Sequence, residues 1–186
     1  MDLAFGDEKT KTFITNVGLV TTNGPYGYNI MACEWTHHIS YSPGLVAICL
    51  QSECATLANI RESKEFGISI AAKEQSILSS VVGNNSAKTV DKIKVAKALG
   101  FTFTKAKKID VYMVSQSALH IECKVFKEIG LGDHVMVVGE VIAAEKEGSE
   151  PLALHAGRYC SVTFDLKKAD DKKRKEIEEV IQRFRK

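Results

Sequence analysis

Three short stretches of the chain carry side chains that could hold and polarise a ligand. Residues 29–36, Asn-Ile-Met-Ala-Cys-Glu-Trp-Thr, follow a Gly-Pro-Tyr-Gly turn. Small residues such as Ala32 and Cys33 let a flat ligand lie against the backbone, whose N–H groups can then bond its ring heteroatoms. Trp35 offers an aromatic wall, although an ordinary strand pair around a core tryptophan would use the same residues. Residues 52–56, Ser-Glu-Cys-Ala-Thr, run into a helical pattern, and the open N–H groups of a helix start can hold a phosphate. N-capping by Thr56 or Ser52 is the plainer use of that stretch. Residues 86–92, Ser-Ala-Lys-Thr-Val-Asp-Lys, put a hydroxyl and two ammonium groups within about one helical turn, which suits a phosphate monoester. A solvated charged face would read the same way.

Other chemistry finds less support. His37 and His38 are adjacent in a predicted strand, so their side chains point to opposite faces and one strand cannot aim both at one metal. One exposed and one half-buried histidine is expected there. His120, His134 and His155 are isolated, and nothing proposes a metal site. No G-x-S-x-G elbow is present, and the glycine loops of Rossmann and P-loop phosphate sites are missing. The five cysteines, Cys33, Cys49, Cys54, Cys123 and Cys160, form no C-x-x-C pair. They read as buried or half-buried thiols in a reducing, cytoplasmic setting.

The elements that must position these groups are mostly strands. With 186 residues, 45% hydrophobic and 26% charged, the chain fits one globular domain with a short appendage. A net charge of +2 gives no drive toward nucleic acid, and no apolar run approaches the roughly 20 residues that span a bilayer. The N-terminus has acidic residues and no apolar stretch, unlike a signal peptide. Strands are predicted at 12–22, 28–33, 35–41, 45–50 and 66–71. Helices are predicted at 56–62, at 74–82 with Ile77, Leu78 and Val81 on one face, and at 89–99 capped by Gly100. Residues 118–129 and 134–144 form the clearest hairpin, joined by Gly130-Leu131-Gly132-Asp133. Shorter strands near 151–154 and 159–164 complete the β count. In the tail, Ile177, Val180, Ile181 and Phe184 fall at i, i+3, i+4 and i+7, an amphipathic helix with Asp170 or Asp171 as N-cap. Many short strands with few helices favour a small, mainly β antiparallel barrel with peripheral helices over a βαβ sheet.

Taken in order, N-x-M-x-x-x-W-T, S-P-x-L-V-A-I, a small-residue turn into I-R-E-S-x-E-F, S-x-K-x-V-D-K and G-D-H-x-x-x-V-G-E-V resemble the flavin reductase-like family. The resemblance covers roughly residues 10 to 165 and includes the flavoredoxin group. It implies an FMN-binding split β-barrel of Greek-key type over 1–165, with 166–186 as a C-terminal helix packed on the barrel or on a partner subunit. It further implies that Asn29, Met31, Ala32 and Cys33 lie along the isoalloxazine ring, and that Trp35 and Thr36 flank the ring and ribityl chain. Cys54, Ala55 and Thr56 would meet the phosphate and ribityl oxygens. Ser86, Lys88 and Lys92 would complete the phosphate pocket, Lys92 being also the candidate cation for the N1/O2 edge of reduced flavin. His134 would stand near the flavin.

Members of this family often carry Arg at the position of Cys54, which shifts the phosphate's dependence onto Lys88 and Lys92. Glu34, beside the ring segment, is a further departure. The resemblance implies a homodimer with FMN at the subunit interface, NAD(P)H as electron donor, and an oxidoreductase or electron carrier in which the flavin carries the redox chemistry. Two other readings stay open at this point. One is a flavin-binding protein without turnover, a sensor or store, and the other is a dimeric interaction module that needs no cofactor.

Overall fold

The computed structural model describes residues 2–4 and 6–186. After a 3-10 turn at Thr10–Thr12, the first strands are β1 (Ile14–Asn16), β2 (Gly18–Thr22), β3 (Asn29–Cys33), β4 (Thr36–Ser40) and β5 (Leu45–Gln51). Helix α1 (Ala55–Ser63) and strand β6 (Glu65–Ile70) follow. A 3-10 turn at Lys73–Gln75 leads into α2 (Ser76–Gly83), and α3 is Lys92–Ala98. The rest comprises β7 (Phe103–Lys105), β8 (Tyr112–Val114), β9 (Leu119–Leu131), β10 (His134–Lys146), β11 (Leu152–His155), β12 (Arg158–Ser161) and α4 (Asp171–Arg183).

Seven strands make one antiparallel sheet in the order β3-β2-β6-β9-β10-β5-β4. The predicted barrel is therefore split: the sheet curls round but β3 and β4 remain its two edges. One core cluster lies inside the curl, with Val20, Ile48, Leu50, Leu57, Ile60, Phe66, Ile68 and Val137 fully or almost fully buried. A second lies under α2 and α3, built from Leu19, Ile30, Leu78, Val82, Ile93 and Ala96. Strand alternation sorts β3 between them. Met31 and Cys33 join the first cluster, Ile30 and Ala32 the second.

Two close approaches set the curl. A Cβ on Gly139 would stand 2.5 Å from Phe66 Cζ, and one on Gly18 would stand 2.4 Å from Thr36 Oγ1. The expected strand at 12–22 breaks at buried Val17, because β1 leaves the main sheet to pair with β11 while β2 stays between β3 and β6. The hairpin of β9 and β10 has the predicted partners, turning at Gly132 with φ 57°. Tyr112–Val114 and Phe103–Lys105 form a further hairpin that no Gly, Pro or Asn signal announced.

Helix α2 is rotated from expectation. It buries Leu78, Ser79 and Val82, whereas Ile77 is 66% exposed, because a 3-10 turn occupies the predicted first residues and shifts the phase. Gly100 ends α3 as predicted, with φ 90° and its N–H donating to the Lys97 carbonyl. Asp170 caps α4, accepting from Lys173 N at 2.8 Å, yet α4 buries no residue on its own chain. No helix in the described residues is long and apolar enough to cross a membrane.

Candidate functional site

The site is built from the edge strand β3 and three helix ends. Asn29 is buried, and its Nδ2 donates to Thr56 Oγ1 at 2.9 Å. Thr56 Oγ1 in turn donates to Met31 Sδ at 3.4 Å. Asn29 Oδ1 is buried with no partner, so the amide presents an acceptor waiting for a donor. Neither Thr56 nor Ser52 is the N-cap of α1. Cys54 is, its Sγ accepting from Leu57 N at 3.4 Å, because Thr56 already lies inside the first turn. Ala55 and Thr56 carry the N–H groups that a helix start leaves open.

Lys92 completes this cluster. Asp91 caps α3 by accepting from Lys94 N at 3.0 Å, which fixes Lys92 as the first helical residue and buries it to 4% exposure. Its ammonium donates to the Val82 carbonyl at the end of α2, at 3.1 Å, and has no carboxylate partner among the described residues. Burial pulls the Lys92 ammonium down to about 8, while the neighbouring Cys54 sulfur acts the other way. A buried cation without a counter-charge is costly, and an anion at this place would offset that cost.

Trp35 and His134 form a second patch. Their rings stand 4.6 Å apart at 46°, and Trp35 is 45% exposed. His134 lies opposite Gln51 at the end of β5, and the Trp35 carbonyl accepts from Cys49 N at 3.0 Å. The pair therefore borders the loop that leads from β5 to Cys54. Asp133 Oδ1 sits 2.7 Å from His134 Nδ1, so the carboxylate accepts from Nδ1 and Nε2 is left as the free ring nitrogen. That contact holds the Asp133 carboxyl below its usual range.

Other residues singled out by the sequence serve the scaffold. Cys33 Sγ is buried against the carbonyls of Trp35 and Cys49, and burial pushes its thiol up to about 11. Thr36 is buried and donates to the Cys33 carbonyl at 3.0 Å, while its own carbonyl accepts from Asn16 Nδ2. Ala32 contributes a small side chain against Gly83 on α2, turned away from Met31 and Cys33. Ser86 Oγ accepts from Lys88 N at 3.2 Å and stabilises the turn before α3; both residues are exposed. Both His37 and His38 are exposed, against the expectation for one of them, because they lie on the edge strand β4, and His38 packs on Tyr41. Cys160 is exposed rather than buried or half-buried, because β12 is an edge of the small sheet.

Asn59 was not anticipated. Its side chain donates to Thr22 Oγ1 and the Gly27 carbonyl and accepts from Tyr26 N, pinning the turn that delivers Asn29. A lone asparagine inside a helical pattern, spaced three residues from Thr56, was the signal available.

Residues 10–163 match the flavin reductase like domain. The chain belongs to that family. Relatives of the chain include uncharacterized proteins of Archaeoglobus fulgidus and Pyrococcus abyssi, 29% identical over 114 residues and 30% over 115. These matches cover 61% and 62% of this chain but 63% and 64% of the relatives, under two thirds of their length. The reductase component of a 4-nitrophenol 4-monooxygenase/4-nitrocatechol 2-monooxygenase from Rhodococcus opacus is 24% identical, over 79% of this chain and 74% of that one. Among solved structures, flavoredoxin of Desulfovibrio vulgaris (Miyazaki F) superposes with a TM-score of 0.75 at 24% identity, covering 92% of this chain and 98% of that chain. An NADH:FAD oxidoreductase of Streptomyces globisporus C-1027 gives 0.75 at 20% identity, covering 88% and 99%. These structures share the split-barrel fold of this flavin reductase-like chain.

Proposed function

We propose that this flavin reductase-like chain binds FMN and works as an NAD(P)H-dependent flavin reductase or flavin electron carrier. The observation that carries the reading is the buried Lys92 ammonium, without a carboxylate partner, beside the open first turn of α1 and the unpartnered Asn29 Oδ1. A flavin mononucleotide answers both needs: a phosphate for the cation and N–H groups, and hydroxyls for the amide oxygen. Bound flavin would supply hydride acceptance and electron transfer.

In this reading the protein binds and orients. Lys92 and the N–H groups of Ala55 and Thr56 hold the anionic end. Asn29 Oδ1 accepts from a ribityl hydroxyl, its orientation fixed through Thr56. Trp35 walls the ring, and the backbone of β3 lines it. Asp133 orients the His134 ring by accepting from Nδ1. Ser86 and Lys88 shape the rim. The reading also makes the molecule a homodimer with the flavin at the subunit interface, supported by the apolar stripe of α4 that its own chain leaves exposed. Five free thiols support a reducing, cytoplasmic setting.

The test is an absorption spectrum of the purified chain with FMN, followed by anaerobic titration with NADH and with NADPH. The expected result is a bound flavin spectrum bleached by one nicotinamide or both. A chain that leaves the FMN spectrum and fluorescence untouched overturns the reading, and bound flavin that neither nicotinamide bleaches reduces it to carriage.

A further inference from the structure

We propose that residues 162–186 are an exchanged arm, which leaves its own chain and seats on the outer face of strands β4, β5, β10 and β9 of a second copy. The inference rests on the dimer part of the functional reading and is independent of the flavin. Every residue from Ser161 to Lys186 is exposed, yet the arm carries two apolar patterns. Val162, Phe164 and Leu166 alternate as a strand does, and Phe164 and Leu166 are 99% and 92% exposed. Ile177, Val180, Ile181 and Phe184 then form the stripe of α4, which buries nothing on its own chain. Together these side chains leave roughly 700 Å² of apolar surface in solvent, above the roughly 300–600 Å² of the largest patch on a typical monomer.

The same chain leaves a sheet face uncovered. Val46, Ile48, Leu50 and Val137 belong to the cluster inside the curl, so alternation turns Ala47, Cys49, Met136 and Val138 outward. Register sets Ala47 opposite Val138 and Cys49 opposite Met136. Ile129 of β9 extends this row beyond Met136. Trp35 extends it at the other end, where its carbonyl accepts from Cys49 N. Phe126 borders the row as the unpaired residue of a β-bulge in β9 and is 57% exposed. Among the described residues, none of these outward side chains joins a core cluster.

Arm and face match in size. The row from Trp35 to Ile129 crosses four strands, about 14 Å, and the stripe from Ile177 to Phe184 runs about 10 Å along the helix axis. Residues 162–170 reach up to about 30 Å, enough to leave one copy and enter another. One chain owns both surfaces, so a two-fold axis satisfies both arms at once. Two arms and the faces beneath them bury roughly 2,000–3,000 Å², the range of obligate dimers. Each arm comes to rest beside the Trp35–His134 pair, so the second copy closes the outer side of that patch.

Cys49, native to the acceptor face, serves as the reporter in a cross-linking test on the full chain without FMN. Cys160→Ser first removes the exposed thiol. Ile177→Cys, Val180→Cys, Ile181→Cys and Phe184→Cys are then made one at a time and treated with a short bismaleimide. The expected result is a covalent dimer whose linked peptides join Cys49 to the introduced thiol at one or more of these positions. Glu179→Cys, on the opposite side of α4, should give no such link, and Cys49→Ser should abolish it. Trp35 is the one tryptophan of the chain, and Ile177→Glu with Ile181→Glu should shift its emission to the red and make it easier to quench with acrylamide. Links between Cys49 and the arm inside single chains overturn the exchange, since the arm then folds back on its own copy. A dimer by sedimentation whose arm never links to Cys49, with Trp35 emission unmoved, overturns the exchange and leaves the dimer standing. A chain that sediments as a monomer at every concentration overturns both.

Discussion

Lys92 is where the energetics of the site concentrate. Its folded value of about 8 lies below the ordinary 10.5, so between those limits the unfolded chain holds a proton that the folded chain has released. Stability contributed by this group therefore rises with pH across that window, while the charge available for a phosphate falls. Lys92→Met should stabilise the free protein near neutral pH by roughly 1–3 kcal/mol, because it removes a desolvated charge. The same change should weaken FMN binding about tenfold or more. Melting temperature and FMN affinity, measured against pH in both proteins, should move in opposite directions, and the stability difference should shrink as pH passes from about 8 toward 10.5. An unchanged affinity would remove Lys92 from the binding site.

The elements hold that lysine and its neighbours through a few tight fits. Asp91→Ala removes the α3 cap and should cost about 1 kcal/mol, with a loss of FMN affinity that Asp91→Asn restores, since asparagine caps equally well. Asn59→Ala strips three partners of the turn before β3 and should cost roughly 2–4 kcal/mol in urea unfolding. Gly139→Ala forces a methyl to 2.5 Å from Phe66 and should cost roughly 1–3 kcal/mol. Much of this level was legible in the sequence. The hairpin of β9 and β10 announced itself by alternation, and Gly100 announced the end of α3. Thr56, which the proposed site turns toward a phosphate, was legible as a residue type at a helix start, whereas Lys92 was expected inside a helix over 89–99 and instead opens α3 behind its Asp91 cap. The failures have local causes: a 3-10 turn shifted the phase of α2, and Val17 turned a corner inside a run rich in β-branched residues. Alternation along β3 also separates Ala32 from Met31 and Cys33, which a reading by order alone set side by side. The cap role of Cys54 was hidden because sulfur is an uncommon N-cap.

At the scale of the whole molecule, the sheet is open at two edges and the tail is unattached. Ile177, Val180, Ile181 and Phe184 are 44%, 46%, 59% and 80% exposed, and Phe164 and Leu166 before them are almost bare. A second copy covering that stripe is the proposed state. The double change Ile177→Glu with Ile181→Glu should shift sedimentation from dimer toward monomer while leaving the circular dichroism of the sheet intact. A wild-type chain that sediments as a monomer at every concentration would refute the dimer.

The cradle at the start of α1 draws its parts from chain positions as far apart as Asn29, Cys54, Val82 and Lys92. No contiguous peptide contains it, and during synthesis it cannot exist until α3 has emerged and docked. Capture of the proposed FMN there would consequently be a late event in maturation, and its supply would act as a selective pull on completed chains. Cells starved of it would accumulate a polypeptide that is finished in sequence but easier to degrade.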